Sequence, residues 1–190
     1  MNNLYDESQI RCWFDIMKQN KKLTEVRLIG NNKVASGYFT DVDILLREIK
    51  PYLSEYNAYF VINSISPECY GRQQHDKIIV KPKNTTTDSE IIGRDYVFLD
   101  LDAHKVAGVN ATDEEVERTK QKAREVYRFL KANSFNDCIV TFSGNGVHFF
   151  IRCALMPTEE NNEIIKRFTQ AMGMLFSDEY VDIDQKIYNL

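Results

Sequence analysis

The chain has 190 residues, 43% hydrophobic and 27% charged, with a formal net charge of −4. That composition describes a globular chain with one good-sized core or two small lobes, and no stretch of roughly 18 apolar residues is present to span a membrane. An acidic balance also counts against non-specific nucleic-acid binding, although carboxylates that hold metal ions lower the total without repelling phosphate. The start, MNNLYDESQIRCWF, lacks the basic and apolar stretches of a secretory signal. Cys12, Cys69, Cys138 and Cys153 are scattered without a Cys-x-x-Cys pair, so free buried thiols in a reducing cytoplasm are expected rather than a zinc ribbon. The expected location is cytoplasmic.

In chain order, Ser8 to about Lys22 places Ile10, Trp13, Phe14 and Met17 on one helical face. Thr24 to Ile29 reads as a strand, with Asn31-Asn32-Lys33 as its turn. Asp41 is placed to cap a second helix with Val42, Leu45, Leu46 and Ile49 at helical spacing before Pro51. Ala58 to Ile62 reads as a short strand. From Ser64 to about Gly93 the pattern dissolves into a long irregular loop around Ile78-Ile79-Val80. Arg72, Lys77, Lys81 and Lys83 gather there, and a solvated surface loop is the plainer reading. Tyr96 to Asp102 is the clearest strand. Thr112-Asp113-Glu114-Glu115 is a capping box that opens a helix to about Asn133. Cys138 to Phe142 and Val147 to Ile151 form a hairpin. Thr158 caps a last helix, which is expected to turn Ile164, Ile165, Phe168, Met172 and Leu175 inward, and Val181 to Asp184 is a final strand. The second half thus runs strand, helix, hairpin, helix, strand, and the fold class is α+β with helices packed on a largely antiparallel sheet.

The strand Tyr96-Val97-Phe98-Leu99-Asp100-Leu101-Asp102 raises the sharpest chemical point. Side chains alternate along a strand, so Asp100 and Asp102 share one face, about 6 to 7 Å apart. Aspartate suits a strand interior poorly, and local violations of this kind concentrate at functional sites. Repulsion between the two raises a pKa unless a cation joins them, and hard oxygen ligands suit Mg²⁺ or Mn²⁺. The plainer alternative is a strand end fraying into solvent. Asp182 and Asp184 repeat the spacing, so a third carboxylate can join if the two strands are neighbours. Asp41-Val42-Asp43 has it too, but helix capping accounts for it.

The hairpin turn reads Phe142-Ser143-Gly144-Asn145-Gly146-Val147-His148. Glycines at 144 and 146 permit positive φ and uncovered backbone N–H groups, which make a nest for an anion. The Ser143 hydroxyl and a ring N–H of His148 suit a phosphate oxygen. A lone strand histidine is more often a satisfied core residue, but nucleoside-triphosphate chemistry needs metals and phosphate donors together. Haloacid-dehalogenase-type phosphatases and metal-dependent glycosyltransferases also use Asp-x-Asp. The former place it near the start of a parallel α/β domain, and the latter lack a Ser-Gly-x-Gly-x-His partner.

The order Asp100-Leu101-Asp102, then Ser143-Gly144-Asn145-Gly146-Val147-His148, then a strand closing in Asp184, resembles the archaeo-eukaryotic primase superfamily. The likeness is greatest to its phage, plasmid and CRISPR-associated primase-polymerases. It runs from about Gly37-Tyr38-Phe39 through Tyr59-Phe60-Val61-Ile62-Asn63 to Val181-Asp182-Ile183-Asp184-Gln185-Lys186-Ile187-Tyr188-Asn189. The resemblance implies a single catalytic domain over 1–190. Within it, an N-terminal αβ unit covers about 1–90, an RRM-like catalytic module covers 91–190, and the active site lies in the cleft between them. Asp100, Asp102 and Asp184 would be the catalytic metal ligands, holding two Mg²⁺ or Mn²⁺ ions. Ser143, Gly144, Asn145, Gly146 and His148 would bind the nucleotide, and Asp182 matches a variable position. The implied activity is template-directed nucleotidyl transfer from dNTPs or NTPs, with single-stranded DNA template and primer as partners. Family members usually continue past the third acid with an Arg-containing segment, and often with a helicase or accessory domain. The stop at Leu190 therefore reads as a C-terminal truncation. A metal-dependent phosphohydrolase and an RRM-like nucleic-acid-binding module without catalysis are the alternatives.

Overall fold

The computed structural model describes residues 5–18, 23–105 and 109–186. The chain divides into two compact units, Met1–Asp95 and Tyr96–Leu190. The architecture is α+β with antiparallel sheets. Among the described residues no helix is long and apolar enough to cross a membrane.

In the first unit, α1 (Glu7–Lys18) and α2 (Val42–Ile49) accompany a four-stranded sheet. Its strands are β1 (Thr24–Gly30), β2 (Lys33–Phe39), β3 (Asn57–Phe60) and β5 (Ile79–Val80), in the order β3-β1-β2-β5. The Asp41 carboxylate caps α2 by accepting from the N–H groups of Asp43 and Ile44, as its helix-start position requires. Phe14, Val26, Leu28, Ala35, Phe39, Leu45, Ile49 and Ile78 form the core. The expected extension of the first helix to Lys22 lies outside the described residues.

The loop expected between 64 and 93 is more ordered than its composition suggests. It holds β4 (Ser64–Ile65) and 3-10 turns at Pro67–Arg72 and Asp88–Glu90. Of the basic residues gathered there, Arg72 pairs with Glu90 and donates to the Tyr38 hydroxyl, and Lys77 pairs with Glu48. Those two are structural ion pairs, while Lys81 and Lys83 are exposed.

The long strand β6 (Ile91–Ala103) starts five residues earlier than expected. Arg94 and Asp95, polar residues that suggest a loop, are buried there. Asp95 accepts from the Ser64 hydroxyl, and its N–H donates to the Asn63 side chain, so burial leaves these groups hydrogen-bonded.

The second unit continues with α3 (Asp113–Ala132), β7 (Cys138–Phe142), β8 (Gly146–Leu155), α4 (Glu159–Phe176) and β9 (Val181–Ile183). The capping box of Thr112 and Glu115 forms as expected. β6 has β9 on one side and β8 on the other, with β7 at the far edge of β8. Val97, Leu99, Leu101, Val147, Phe149, Ile151, Val181 and Ile183 project from one sheet face into a core shared with Val126 and Leu130 of α3 and Ile165 and Met172 of α4. The even-numbered residues of β6 and β8 are left on the other face.

Two expectations are corrected. On α4, Ile165 and Met172 are buried and Phe168 partly so, but Ile164 and Leu175 are 53% and 61% exposed. The inward stripe is Ile165, Thr169, Met172 and Gly173, and residues 164 and 175 lie about 100° of helical turn off its centre. All four cysteines are free, but only Cys69 is buried. Cys12 is exposed and the other two are intermediate.

Candidate functional site

Strand register builds the site. β6 and β9 pair antiparallel with Leu101 opposite Ile183 and Asp102 opposite Asp182. The Asp184 N–H donates to the Asp100 carbonyl at 3.0 Å, which continues the same ladder by one residue. Residues opposite one another across a ladder project to the same side. Asp100 therefore faces Asp184, and Asp102 faces Asp182, in a two-by-two array of carboxylates on the face away from the helices. Strand order then sets β8 along the other side of β6.

Contacts across that boundary are close. His148 Nε2 lies 3.2 Å from Asp100 Oδ1, within ion-pair range but out of hydrogen-bond alignment. That oxygen is enclosed and takes no hydrogen bond among the described residues. Phe98 sits edge-on to the His148 ring at 5.2 Å and fixes its plane. A Cβ on Gly146 would stand 2.6 Å from the Leu101 carbonyl oxygen and closer still to Asp102 Oδ1, so only glycine admits this approach.

Asp102 is exposed by surface area, yet its pKa is raised above the usual 3.8. Desolvation by the crowded strand is the main cause and the Asp100 charge the next, with Asp184 adding to it while His148 and Lys105 oppose. Among the described residues, none of the four aspartates has a lysine or arginine ion-pair partner. Asp184 is half-buried and its Oδ1 accepts from the Lys186 N–H.

The hairpin is tighter than its sequence suggests. The register runs Cys138 opposite Ile151 to Phe142 opposite Val147. The left-handed residue is Gly144, at φ 99°, the first of the central pair Gly144-Asn145, where a two-residue hairpin accepts glycine. Gly146 belongs to β8. Its N–H donates to Ser143 Oγ at 3.0 Å, and the Ser143 N–H donates to the Gly146 carbonyl at 3.0 Å. The expected uncovered N–H at Gly146 is therefore taken, and the Ser143 hydroxyl helps close the turn. The Asn145 side-chain oxygen accepts from the Ala111 N–H at 3.0 Å, so this residue ties the loop before α3 to the hairpin. Ser143 and Gly144 remain exposed at the apex.

The fold thus gathers Asp100, Asp102, Gly146 and His148, and the register adds Asp184 beside Asp100. Asp182 matches only a variable position in the resemblance, and it is the register, a non-local property, that shows it to be the neighbour of Asp102. The donors are hard oxygens, one of them enclosed without a partner, which suits Mg²⁺ or Mn²⁺. Among the described residues, however, no group of three or more His, Cys, Asp or Glu side chains converges as a preformed metal cage. Mg²⁺ is ordinarily bound by one or two carboxylates and completed by other oxygen ligands, so the donor set fits such a partly hydrated ion.

Compared with protein-family models, with curated proteins and with solved structures, the chain matches none.

Proposed function

We propose that this chain is the catalytic domain of a primase-polymerase of the archaeo-eukaryotic primase superfamily, which performs template-directed nucleotidyl transfer from dNTPs or NTPs. The observation that carries the reading is the pairing of a carboxylate array without a lysine or arginine ion pair among the described residues, Asp100, Asp102 and Asp184, with His148 and the Ser143–Gly146 turn on the adjoining strand. The strand–helix–hairpin–helix–strand order of the second unit, with β9-β6-β8-β7 across its sheet, agrees with the RRM-like module that the reading requires.

Two divalent ions, when bound, lower the pKa of the attacking 3′-hydroxyl and neutralise the triphosphate. Asp100, Asp102 and Asp184 supply the oxygens that would hold them. His148 presents a ring nitrogen at the edge of the carboxylates, placed to donate to a triphosphate oxygen while Phe98 holds its orientation. The exposed apex at Ser143-Gly144 borders the place where that triphosphate would lie. The open aromatic platform of an RNA-binding sheet is not what this face offers. Tyr96 and Phe150 are buried and Phe98 packs on His148.

The test is extension of a labelled primer on a single-stranded template with Mg²⁺ and with Mn²⁺. Asp100→Ala/Asp102→Ala should lower the rate by about a thousandfold, the loss of several kcal/mol of charge stabilisation. His148→Ala should lower it by about ten- to a hundredfold, the worth of a charge-assisted hydrogen bond. Chelation should abolish it. Release of inorganic phosphate without extension would identify a phosphohydrolase instead, and extension indifferent to all three changes would overturn the reading.

A further inference from the structure

The sheet has a second chemically distinctive place, on the side opposite the carboxylates. Phe142 pairs with Val147, a core residue, whereas Thr141 pairs with His148. Phe142 therefore projects toward the helix side. A groove of about 610 Å³ runs there between α3 and the edge strand β7. Its floor includes Val140 and Phe142, 43% and 49% exposed, and its wall includes Tyr127 at 39%.

One face of α3 supplies the rest. Lys120, Arg124, Tyr127, Arg128 and Lys131 stand at helical intervals of four, three, one and three, a continuous stripe about 16 Å long. Lys120, Arg124 and Arg128 line the groove, and among the described residues no carboxylate does. Among the described residues, the ion pair made by these three is that of Arg124 with Glu117, an exposed contact at 3.1 Å that is easily exchanged. The Lys120 ammonium lies 4.7 Å from the Phe142 ring centre and that of Lys131 lies 5.8 Å from Tyr127. In a chain of net charge −4, this gathering of cations around exposed rings stands apart from the average surface.

We propose that this groove binds single-stranded nucleic acid, with bases stacking on Phe142 and Tyr127 and phosphates on Lys120, Arg124 and Arg128. Flat rings alternating with cations match the repeat of bases and phosphates, and stacking on a ring does not depend on which base is present. Charge complementarity selects a polyanion as occupant. A peptide adding to the β7 edge is the rival. It would need acidic residues facing the stripe and would leave the ring faces under their cations unused. The inference does not rest on the catalytic reading, because the groove and the carboxylates occupy opposite sides of the sheet.

The experiment is fluorescence anisotropy of the whole chain with labelled 20-nucleotide oligothymidine and oligouridine, in EDTA, so that metal-held nucleotide at the carboxylates does not contribute. Arg124→Glu/Arg128→Glu should weaken binding at least tenfold and reduce the salt slope by about 1.4, roughly 0.7 for each phosphate no longer neutralised. Phe142→Ala should weaken binding about tenfold with the slope unchanged. Thermal unfolding of both variants should match the wild type, since these side chains are exposed. A preference between the two oligonucleotides assigns DNA or RNA. Failure of the wild type to bind, binding that neither variant changes, or capture of an acidic peptide in place of oligonucleotide would each overturn the proposal, whatever the primer-extension result.

Discussion

Glu25 of β1 and the aspartates of β6 are all carboxylates on sheet strands, and the chain treats them in opposite ways. Glu25 is fully buried. Its Oε2 accepts from Arg27 Nη2 at 3.1 Å and from the Thr86 N–H at 3.2 Å, and Arg27 Nη2 donates to the Thr86 carbonyl at 2.7 Å. The Tyr38 hydroxyl lies 3.1 Å from Thr86 Oγ1 and accepts from Arg72, so the network continues to Glu90. Here buried charge meets an arginine supplied by the fold, through Oε2, while Oε1 is enclosed without a hydrogen bond among the described residues. Asp100, Asp102, Asp182 and Asp184 form no ion pair with a lysine or arginine among the described residues. A carboxylate kept for stability is neutralised from within the chain. A group of carboxylates left to repel one another is suited to a cation from outside it.

The largest expected effect falls on the first set. Glu25→Ala removes one partner of a buried pair, leaving the Arg27 charge without its carboxylate and the Thr86 N–H without an acceptor. Breaking such a pair costs about 3–5 kcal/mol, and because the Arg27 side chain stays 32% exposed the lower end, about 3 kcal/mol, is expected. Urea denaturation measures it. A loss under about 1 kcal/mol would mean that Glu25 is not the keystone of its network, and the contrast with the aspartates would lapse.

Next is Gly146→Ala, where a single methyl meets the Leu101 carbonyl and the Asp102 carboxylate. β8 must move away from β6, at a cost of about 1–3 kcal/mol. The same movement displaces His148 from Asp100, so extension activity should fall further than stability alone explains. Gly144→Ala gives the comparison of stability at the other glycine. Open space surrounds that position and the cost there is only the left-handed backbone, about 1 kcal/mol. A loss of activity in Gly146→Ala no greater than its loss of stability explains would sink the idea that Gly146 serves the site.

Local chemistry makes part of this legible. The Thr112–Glu115 capping box, the Asp41 cap and the Asp100–Asp102 spacing are each written within a few residues. β2 is not, because its burial runs through Ala35, Ser36, Gly37, Tyr38 and Phe39 without a two-residue alternation. The first five residues of β6 are obscured by Arg94 and Asp95, and the partners of Asp95 come from residues about thirty positions away. At the candidate site the acids and His148 stand out by type. The pairing of Asp102 with Asp182, the commitment of Asn145 to Ala111 and the close approach at Gly146 are properties of register, which one sequence does not state. The α3 stripe is hidden by the averaging of charge over the whole chain.

The smallest effect sharpens the comparison most, because its sign is opposite to that of Glu25. Asp102 has a folded-state pKa raised above 3.8, so the folded chain prefers it protonated. Its contribution to stability is fully present below the unfolded value and is lost as pH rises through the folded one. At pH 7 the ionised carboxylate is therefore a net cost, small because Asp102 is exposed, and Asp102→Asn should stabilise the chain by less than about 1 kcal/mol. The advantage should shrink as pH falls through the raised pKa and vanish below about 3.8. Adding Mg²⁺ at pH 7 should narrow the same gap from the other side, by stabilising the wild type more than the variant. Thermal unfolding across pH, with and without Mg²⁺, reads both limbs. A variant less stable than the wild type at pH 7 would show Asp102 to be an ordinary structural carboxylate. A gap that closes with acid but does not narrow with Mg²⁺ would leave the repulsion real and the metal reading without support.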